Sequence, residues 1–274
     1  MSDLYVRFWG VRGSTPCADP TLSRYGGNTS CVEVRCGKQV VIFDCGTGLR
    51  GLGKTLVQNG AVEADIFFSH FHIDHIIGLP FFAPCHAETS RLRLWAGNLL
   101  PDYRIDSTLR RMISEPLFPT GLESFKASIK FHDFRPGDVL TPFPGVTLRT
   151  APLNHPGRST GYRLEYDKHV IAYITDTEHR PGQLDPNVLW LANGADLMIC
   201  DCNYTEDEFD AHVGWGHSTW QEGVRLADQA GAKKLAIFHH DPDHDDNFLD
   251  RLAAEAAAAR PGTIVAAEGV TVRF

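Results

Sequence analysis

The sequence has no apolar stretch that approaches the length needed to span a membrane. Its first residues, Met1 to Leu4, also lack a basic region followed by an apolar segment, which is the pattern of a secretory signal peptide. These absences argue against the membrane-protein and secreted classes. The sequence therefore predicts a cytoplasmic protein without a membrane partner.

The cysteines show no pairing pattern. There are seven of them, an odd number with irregular spacing, and no CxxC motif occurs, so a disulfide framework is not indicated. Cys200 and Cys202 lie two residues apart beside Asp201, where thiolates can act as metal ligands. We favour the simpler interpretation that both are small buried residues of a strand. The cysteine pattern agrees with a reducing compartment.

Positive charge is scarce. The 26 Lys and Arg residues are outnumbered by 34 Asp and Glu, which gives a formal net charge of −8. A long nucleic acid is best bound by a basic stripe, so this balance argues against a polynucleotide partner. A small phosphorylated substrate stays compatible with it, because two metal cations would dominate the local field.

The chain also lacks a Gly/Ser linker or a low-complexity segment, so we predict one domain over residues 1–274. Short apolar runs predict strands, and segments of helical spacing between them predict an α/β fold. Segments 29–44 and 160–176 share one plan, a strand, a tight turn and an apolar strand that ends in aspartate. Two such halves with helices outside would form a four-layer αββα sandwich. The predicted helices are 49–59, 107–113 with Ser107 as N-cap, 181–193, 219–230 and 247–259.

The most informative feature that is present is the segment HFHIDH at residues 70–75, which follows the apolar run Ile66–Phe68. A strand that ends at Ser69 would deliver its four ligand-type side chains into a loop. The first two histidines can hold one ion, and the Asp-His pair faces a second position. Imidazole and carboxylate suit zinc, with manganese or iron as rivals. Isolated histidines are usually surface residues, but burying three beside an aspartate without a partner would be costly.

Three more residues complete a candidate two-metal site. His155, Asp176 and His239 each follow a predicted buried strand. Taken alone, such an aspartate is more often a turn former and such a histidine more often solvated. His240 competes with His239, because alternation on a strand lets only one of them point inward. Together with residues 70–75, they place ligand-type side chains after several successive strands.

Several segments resemble the metallo-β-lactamase superfamily and, within it, the branch of ribonuclease Z-like phosphodiesterases. The HxHxDH motif is specific for the superfamily, and the segments His217-Ser218-Thr219 and Gly161-Tyr162-Arg163 narrow the resemblance to that branch. The resemblance runs nearly end to end. Its segments are 9–16, 28–30, 42–46, 69–80, 152–155, 161–165, 176–177, 194–197 and 217–219.

The resemblance implies the metallo-β-lactamase fold and two divalent ions, each with its own set of ligands. Asp176 would bridge the ions together with a water or hydroxide that acts as the nucleophile. His217 would face the phosphate oxygens or the leaving group. The catalytic residues that the resemblance implies are Asp74 and His217. Asp44 would support the ligands without binding metal. The implied sets are His70, His72 and His155 for one ion, and Asp74, His75 and His239 for the other.

We therefore predict a binuclear metal-dependent phosphodiesterase that hydrolyses a small phosphodiester, such as a cyclic nucleotide. The region 86–144 has no long glycine- and basic-rich arm of the kind that grips transfer RNA in the ribonuclease branch. Arg12, Asn28 and Arg158 lie in loops where they are candidates for phosphate binding, although loop arginines are commonly solvated. The alternatives are hydrolysis of a carbon ester, thioester or lactam, endonucleolytic processing of the transfer RNA 3′ end, and a non-catalytic sensing module. Homo-oligomerisation is left open.

Overall fold

The computed structural model describes residues 4–274. The first three residues lie outside the described residues. They are part of the domain predicted over 1–274 and of the N-terminal segment in which we expect no signal peptide. The strands are β1 (Leu4–Gly10), β2 (Cys31–Cys36), β3 (Gln39–Phe43), β4 (Glu63–Phe68), β5 (Arg91–Ala96), β6 (Ser128–Asp133), β7 (Val139–Leu140), β8 (Val146–Leu153), β9 (Ser159–Tyr166), β10 (His169–Ile174), β11 (Leu197–Asp201), β12 (Leu235–Phe238), β13 (Thr263–Val265) and β14 (Thr271–Arg273). The helices are α1 (Leu49–Val57), α2 (Ile73–Ile76), α3 (Ile105–Met112), α4 (Pro186–Ala192), α5 (Glu206–Phe209), α6 (Trp220–Gln229) and α7 (Asp246–Ala259).

These strands form two seven-stranded sheets with the same plan. The first has the order β14-β1-β2-β3-β4-β5-β6, and its strands β3 to β6 run parallel. The second has the order β13-β12-β11-β10-β9-β8-β7, and its strands β10 to β13 run parallel. In each sheet an antiparallel hairpin, β2-β3 or β9-β10, leads into the parallel part. This repetition agrees with the similarity between segments 29–44 and 160–176.

The central parallel strands are mostly buried on both faces, which explains their largely apolar sequences; they are β3, β4, β10, β11 and β12. Because side chains alternate between the two faces of a strand, β12 contributes to two separate cores. Ala236 and Phe238 lie in the core between the sheets, whereas Leu235 and Ile237 pack under the helices of the second sheet. The core between the sheets also holds stacked aromatic rings, such as Phe43 and Tyr173 with ring centroids 4.9 Å apart.

The outer faces of the sheets are covered by amphipathic helices. α1 and α3 bury leucines and isoleucines against the first sheet, among them Leu52 and Ile105. α4, α6 and α7 do the same on the second sheet, for example through Leu191, Leu226 and Leu252. The result is a helix–sheet–sheet–helix arrangement, so the predicted four-layer αββα fold is confirmed.

Two predicted helix starts are wrong. The fourth helix begins at Pro186 and not at residue 181, because Asp185 accepts hydrogen bonds from the backbone N–H groups of residues 187 and 188, and proline fits the first turn. α3 begins at Ile105, so Ser107 is not its N-cap. The hydroxyl of Ser107 lies within the helix and donates to the Arg104 carbonyl oxygen.

The ends of the strands at one edge of the sandwich hold polar residues in an unusual backbone conformation. Asp44, Asp176 and His239 follow β3, β10 and β12 and have φ angles of 61°, 55° and 63°. Non-glycine residues rarely adopt this left-handed region, and those that do are often part of functional sites. None of the helices formed by residues 4–274 is long and apolar enough to cross a membrane.

Candidate metal centre

Four segments that follow strands bring the seven predicted ligands to one place between the two sheets. His70 follows β4 directly, and the single turn of α2 carries Asp74 and His75. The second sheet contributes the other side of the site through the loops after β8, β10 and β12. Their ligand-type atoms lie within 4.8 Å of one another in overlapping groups. Two of these groups are the two predicted ligand sets, His70, His72 and His155, and Asp74, His75 and His239.

The Asp176 carboxylate lies between these two sets. Its Oδ1 atom is 3.7 Å from Nε2 of His70 and 3.7 Å from Nε2 of His155. Its Oδ2 atom is 3.3 Å from Nε2 of His75 and 3.4 Å from Nε2 of His239. Each oxygen of one buried carboxylate therefore faces a different set, which is the geometry of a bridging ligand.

The second set is compact and closed to solvent. Nε2 of His75 lies 3.1 Å from Oδ2 of Asp74 and 3.3 Å from Nε2 of His239. Nε2 of His239 lies 3.5 Å from the same Asp74 oxygen. Asp74 is also held by the backbone N–H of Ser14, which donates to its Oδ2 over 3.0 Å. Three donor atoms thus converge on one point beside Asp176.

The first set is more open, because His72 is exposed at the surface. Nδ1 of His72 lies 3.1 Å from Nε2 of His155. Nε2 of His70 is buried and has no hydrogen-bond partner within residues 4–274. An orphaned imidazole nitrogen that faces other imidazole nitrogens fits a cation better than a hydrogen bond. The donor set therefore fits two divalent ions.

Buried hydrogen bonds fix the orientation of several ligands. Oδ2 of Asp44 lies 2.9 Å from Nδ1 of His75 and accepts from the hydroxyl groups of Ser69 and Tyr173. Nδ1 of His155 lies 2.8 Å from the carbonyl oxygen of Gly216. A partner on Nδ1 leaves Nε2 of each ring directed at the cluster, as in known metal sites. Asp44 is placed as a support and not as a ligand.

The carboxylates make the site strongly negative. Burial lowers the pKa of His75, but Asp74, Asp176 and Asp44 outweigh this effect and raise its pKa well above the usual value. Burial raises the pKa of Asp176, yet His239, His75 and His70 hold it well below the usual value. Without cations, the site compensates its charge by holding protons, so metal binding would release them.

His217 lies beside the cluster and outside both ligand sets. Its Nδ1 is 2.8 Å from Oδ2 of Asp201, and its ring stacks on that of His239 with centroids 4.9 Å apart. Burial lowers the pKa of His217, but Asp201 outweighs it and raises the pKa to about 9. Its Nε2 has no hydrogen-bond partner in the part of the chain that the structure describes. The arrangement is that of a proton donor or a cationic hydrogen-bond donor.

Comparison with known proteins agrees with this geometry. The sequence model described as "Beta-lactamase superfamily domain" matches residues 39–240, which include all seven predicted ligands and His217. The chain belongs to the beta-lactamase superfamily. With its cluster of metal-binding residues, it is a metal-dependent hydrolase of that superfamily.

Several known proteins are similar to this chain over all or nearly all of its length. Ribonuclease Z of Myxococcus xanthus (strain DK1622) is 26% identical over 323 aligned positions, which cover 100% of this chain and 99% of that protein. A diphosphatase of the PhnP family has a TM-score of 0.73 at 18% identity and covers 99% of this chain and 98% of its own. The short form of human tRNase Z has a TM-score of 0.68 at 20% identity, with 98% of each chain covered. The two solved structures show the shared fold.

Two of the residues expected to bind phosphate have other roles in this superfamily member. The Arg12 side chain is fully buried and donates to the carbonyl oxygens of Gly26, Asp241 and His244. The side-chain amide of Asn28 donates to Glu268 over 2.8 Å. Both side chains tie loops together, so their contacts do not support the prediction that Arg12 and Asn28 bind phosphate. Arg158 is exposed close to the first ligand set and stays a candidate.

The structure also decides between neighbouring candidates. His239 faces the cluster, whereas His240 turns away and lies 2.7 Å from the Ala266 carbonyl oxygen through Nε2. Burial lowers the pKa of His240 to about 3, so its ring is neutral. Acidic residues follow His240 in the segment from position 241 to position 246. Two of them have structural roles, because Asp245 caps α7 and Asp246 accepts from the backbone N–H groups of Arg24 and Tyr25. Cys200 and Cys202 are buried free thiols, as expected, but only Cys200 lies in β11, and Cys202 directly follows that strand.

Asp201 is the functional residue that the sequence interpretation missed. Its neighbours Cys200 and Cys202 drew attention to thiolates, although Asp201 ends an apolar strand just as Asp176 follows one. That strand-end position is the signal that identifies it. Its partner His217 is sixteen residues further along the chain, so only the folded structure shows the pair.

Proposed function

We propose that this hydrolase is a binuclear metal-dependent phosphodiesterase that acts on a small phosphodiester. The observation that carries the proposal is the position of Asp176, whose two oxygens face two separate ligand sets while His217 stands free beside them. Paired sites of this kind suit in-line displacement at phosphorus, because two charges develop on opposite sides of the reacting atom.

The seven clustered residues would hold the ions, with zinc favoured by their nitrogen and carboxylate donors. When bound, two such ions lower the pKa of a water and neutralise the charge on a phosphate group. The protein itself fixes where the substrate meets them. Asp44 and the Gly216 carbonyl oxygen orient the imidazoles, and Ser14 orients Asp74.

His217 would donate to the departing oxygen or to a phosphate oxygen. Asp201 is fully buried, fixes the ring through Nδ1, and stabilises its protonated form. Bound cations would oppose that protonation, and Asp201 offsets their effect. This pair favours phosphodiester chemistry over hydrolysis of a carbon ester, thioester or lactam, since a phosphate offers a charged oxygen for the imidazole. The complete ligand set argues against a non-catalytic sensing module.

The surface near the site supports a small substrate. Between β5 and β6 the described chain forms α3 and a short 3-10 helix at Leu122–Ser124, and it packs on the first sheet through Ile105 and Leu122. Together with the net charge of −8, this leaves little surface for gripping a long polyanion. We also propose that the protein is cytoplasmic, that its metal is zinc and that residues 1–274 form a single domain.

A second candidate is endonucleolytic processing of the transfer RNA 3′ end. The observation that favours it is the full-length similarity to a protein named Ribonuclease Z. The alignment uses 323 positions for a chain of 274 residues, so the relative contains segments without a counterpart here. Whatever surface those segments provide is not available to this chain.

A panel of substrates tests the proposal at matched metal loading and near-physiological salt. We expect hydrolysis of bis(4-nitrophenyl) phosphate and of some cyclic or short phosphodiesters, with little cleavage of precursor transfer RNA. A thioester and a lactam serve as controls for the carbon-ester alternative. Efficient cutting at the RNA 3′ side with small phosphodiesters untouched would replace the first candidate with the second.

A further inference from the structure

A cavity of about 460 Å³ adjoins the first ligand set, and its size is within the usual range for small-ligand pockets. Its floor includes His70 and His72, so a ligand in it would lie against the first ligand set. We call it the arginine pocket. Its other walls include Asn98, Leu99, Tyr103, Thr108, Arg111 and Arg158.

Two arginines give the arginine pocket its chemistry. Arg111 lies in the last turn of α3, is exposed, and its guanidinium has no ion-pair or hydrogen-bond partner within residues 4–274. Arg158 follows His155 by one turn of chain, and its Nη2 donates to Asp102 over 2.9 Å. That ion pair is exposed on both sides, so an incoming anion can replace it at little cost.

The remaining walls suit an organic group that carries an anion. Oδ1 of Asn98 is buried and has no hydrogen-bond partner in the described part of the chain, so it can accept from a ligand hydroxyl. Tyr103 is 54% exposed, and with Leu99 it offers an apolar face to a sugar or a ring. Planar guanidinium groups bind phosphate through two hydrogen bonds, which favours phosphate over an uncharged polar group.

We infer that the arginine pocket binds a second phosphate, a terminal monoester that is not hydrolysed. The substrate would then be a small phosphodiester with a terminal phosphate on the adjoining sugar or chain. This inference rests on the proposed function and narrows its substrate class. A larger cavity of about 830 Å³ beside α6 offers no such site, because its Arg225 is already paired with Glu206 and Glu222.

Two substrates that differ only in the second phosphate test the inference. Thymidine 5′-(4-nitrophenyl phosphate) has the scissile ester alone, and its 3′-phosphate derivative adds the terminal monoester. We expect the zinc-loaded protein to prefer the derivative by about tenfold to hundredfold in kcat/KM, the range expected for hydrogen bonds to a charged group. Arg111→Ala should abolish the preference, Arg111→Lys should keep part of it, and Asp102→Ala should increase it.

Arg110→Ala is the matched control. It removes the same charge from the same helix, but Arg110 points to Glu123 and does not line the pocket. The preference should survive in this variant, and an equal loss in both variants would show a general charge effect and overturn the inference. A 3′-methyl phosphate diester, which stands for the next phosphate of a chain, should be preferred less than the monoester. An equal preference for the diester and the monoester would overturn the inference that the bound phosphate is a terminal one.

Binding separates this inference from the proposed function. Calorimetry with thymidine 3′,5′-bisphosphate and thymidine 5′-phosphate needs no turnover. Tighter binding of the bisphosphate that depends on Arg111, without hydrolysis of either substrate, would retain the second-phosphate site and reject the phosphodiesterase. Hydrolysis of both substrates at equal rates, with equal binding of both nucleotides, would retain the phosphodiesterase and reject the site.

Discussion

His217 and Asp201 form a buried imidazole–carboxylate pair beside the candidate metal centre, where Nδ1 of His217 lies 4.0 Å from Oδ1 of Asp176. The same pairing occurs elsewhere in the chain, between His244 and Glu208, with Nε2 2.8 Å from the carboxylate oxygen. The chemistry of the two pairs is alike, and their positions differ. Comparing them separates the effect of a structural histidine from that of one that acts on substrate.

His217→Ala should retain both ions and lose about 10²–10⁴ of kcat, as expected when a proton donor or a transition-state hydrogen bond is removed. Adding Asp201→Asn to His217→Ala should cause little further loss, because residues that act as a unit are not additive. His244→Ala should retain turnover. Metal analysis and steady-state kinetics measure all three, and metal loss in proportion to activity would make His217 a ligand.

For single residues, the sequence indicates the candidate metal ligands, but it does not indicate which residues hold them or the loops in place. A short motif carries His70 to His75, and strand ends carry Asp176 and His239, so spacing and resemblance were enough to propose them. Asp201 and the true roles of Arg12 and Asn28 depend on which distant loop each side chain meets. Arg12 binds carbonyl oxygens of residues 26, 241 and 244, which no local pattern reveals.

The loop from Val213 to Gly216 is the element that fixes His155. Glu178 accepts from the backbone N–H groups of Gly214 and Gly216, and the Gly216 carbonyl oxygen meets Nδ1 of His155. Both glycines have left-handed backbone conformations, with φ of 91° and 92°. A Cβ atom at Gly216 would lie 2.2 Å from Nδ1 of His155, whereas one at Gly214 would meet open space.

Gly216→Ala should therefore displace His155 and reduce both metal content and kcat. Gly214→Ala is its matched control, because it carries the same backbone cost of about 1–2 kcal/mol without the contact. Thermal melting of the metal-free proteins should show the backbone cost in both variants, while metal analysis and turnover of the metal-loaded proteins should change in Gly216→Ala alone. Equal metal loss in the two variants would contradict a specific role for the Gly216 contact.

Elements with long, regular patterns were predictable, and their ends were less so. The hairpin of β2 and β3 lies within segment 29–44, where the sequence predicted a strand, a tight turn and an apolar strand. The start of α4 was predicted five residues early, since Pro181 also fits a helix start and only the capping bonds of Asp185 distinguish the two. Short elements such as α2 have too few residues to show a period.

On the scale of the whole molecule, the metal centre joins the two sheets. His70 to His75 come from the first sheet, and His155, Asp176 and His239 come from the second. Between the sheets there is a continuous apolar core, so the fold does not depend on the ions alone. Each ion would nevertheless link loops of both halves.

Removing the ions should lower the melting temperature without unfolding the protein at ambient temperature. A ligand at about 100 times its Kd contributes about 2.7 kcal/mol, and a chain of this size shifts its Tm by about 2–4 °C per kcal/mol. Metal analysis of the replete protein should give close to two ions per chain, and calorimetry after chelation should show the lower Tm. At most one ion per chain under replete conditions would contradict the binuclear site.

The spread of the ligands along the chain also sets when the site can mature. The first set needs His155 and the bridging Asp176, and the second needs His239, so a nascent chain cannot complete the second set until most of it has been synthesised and both sheets have docked. We therefore expect the second position to be filled late, after the two sheets have docked. Under metal starvation we expect a pool of folded, inactive protein that is ready for activation, and the cation it takes up would depend on cellular supply as well as on affinity.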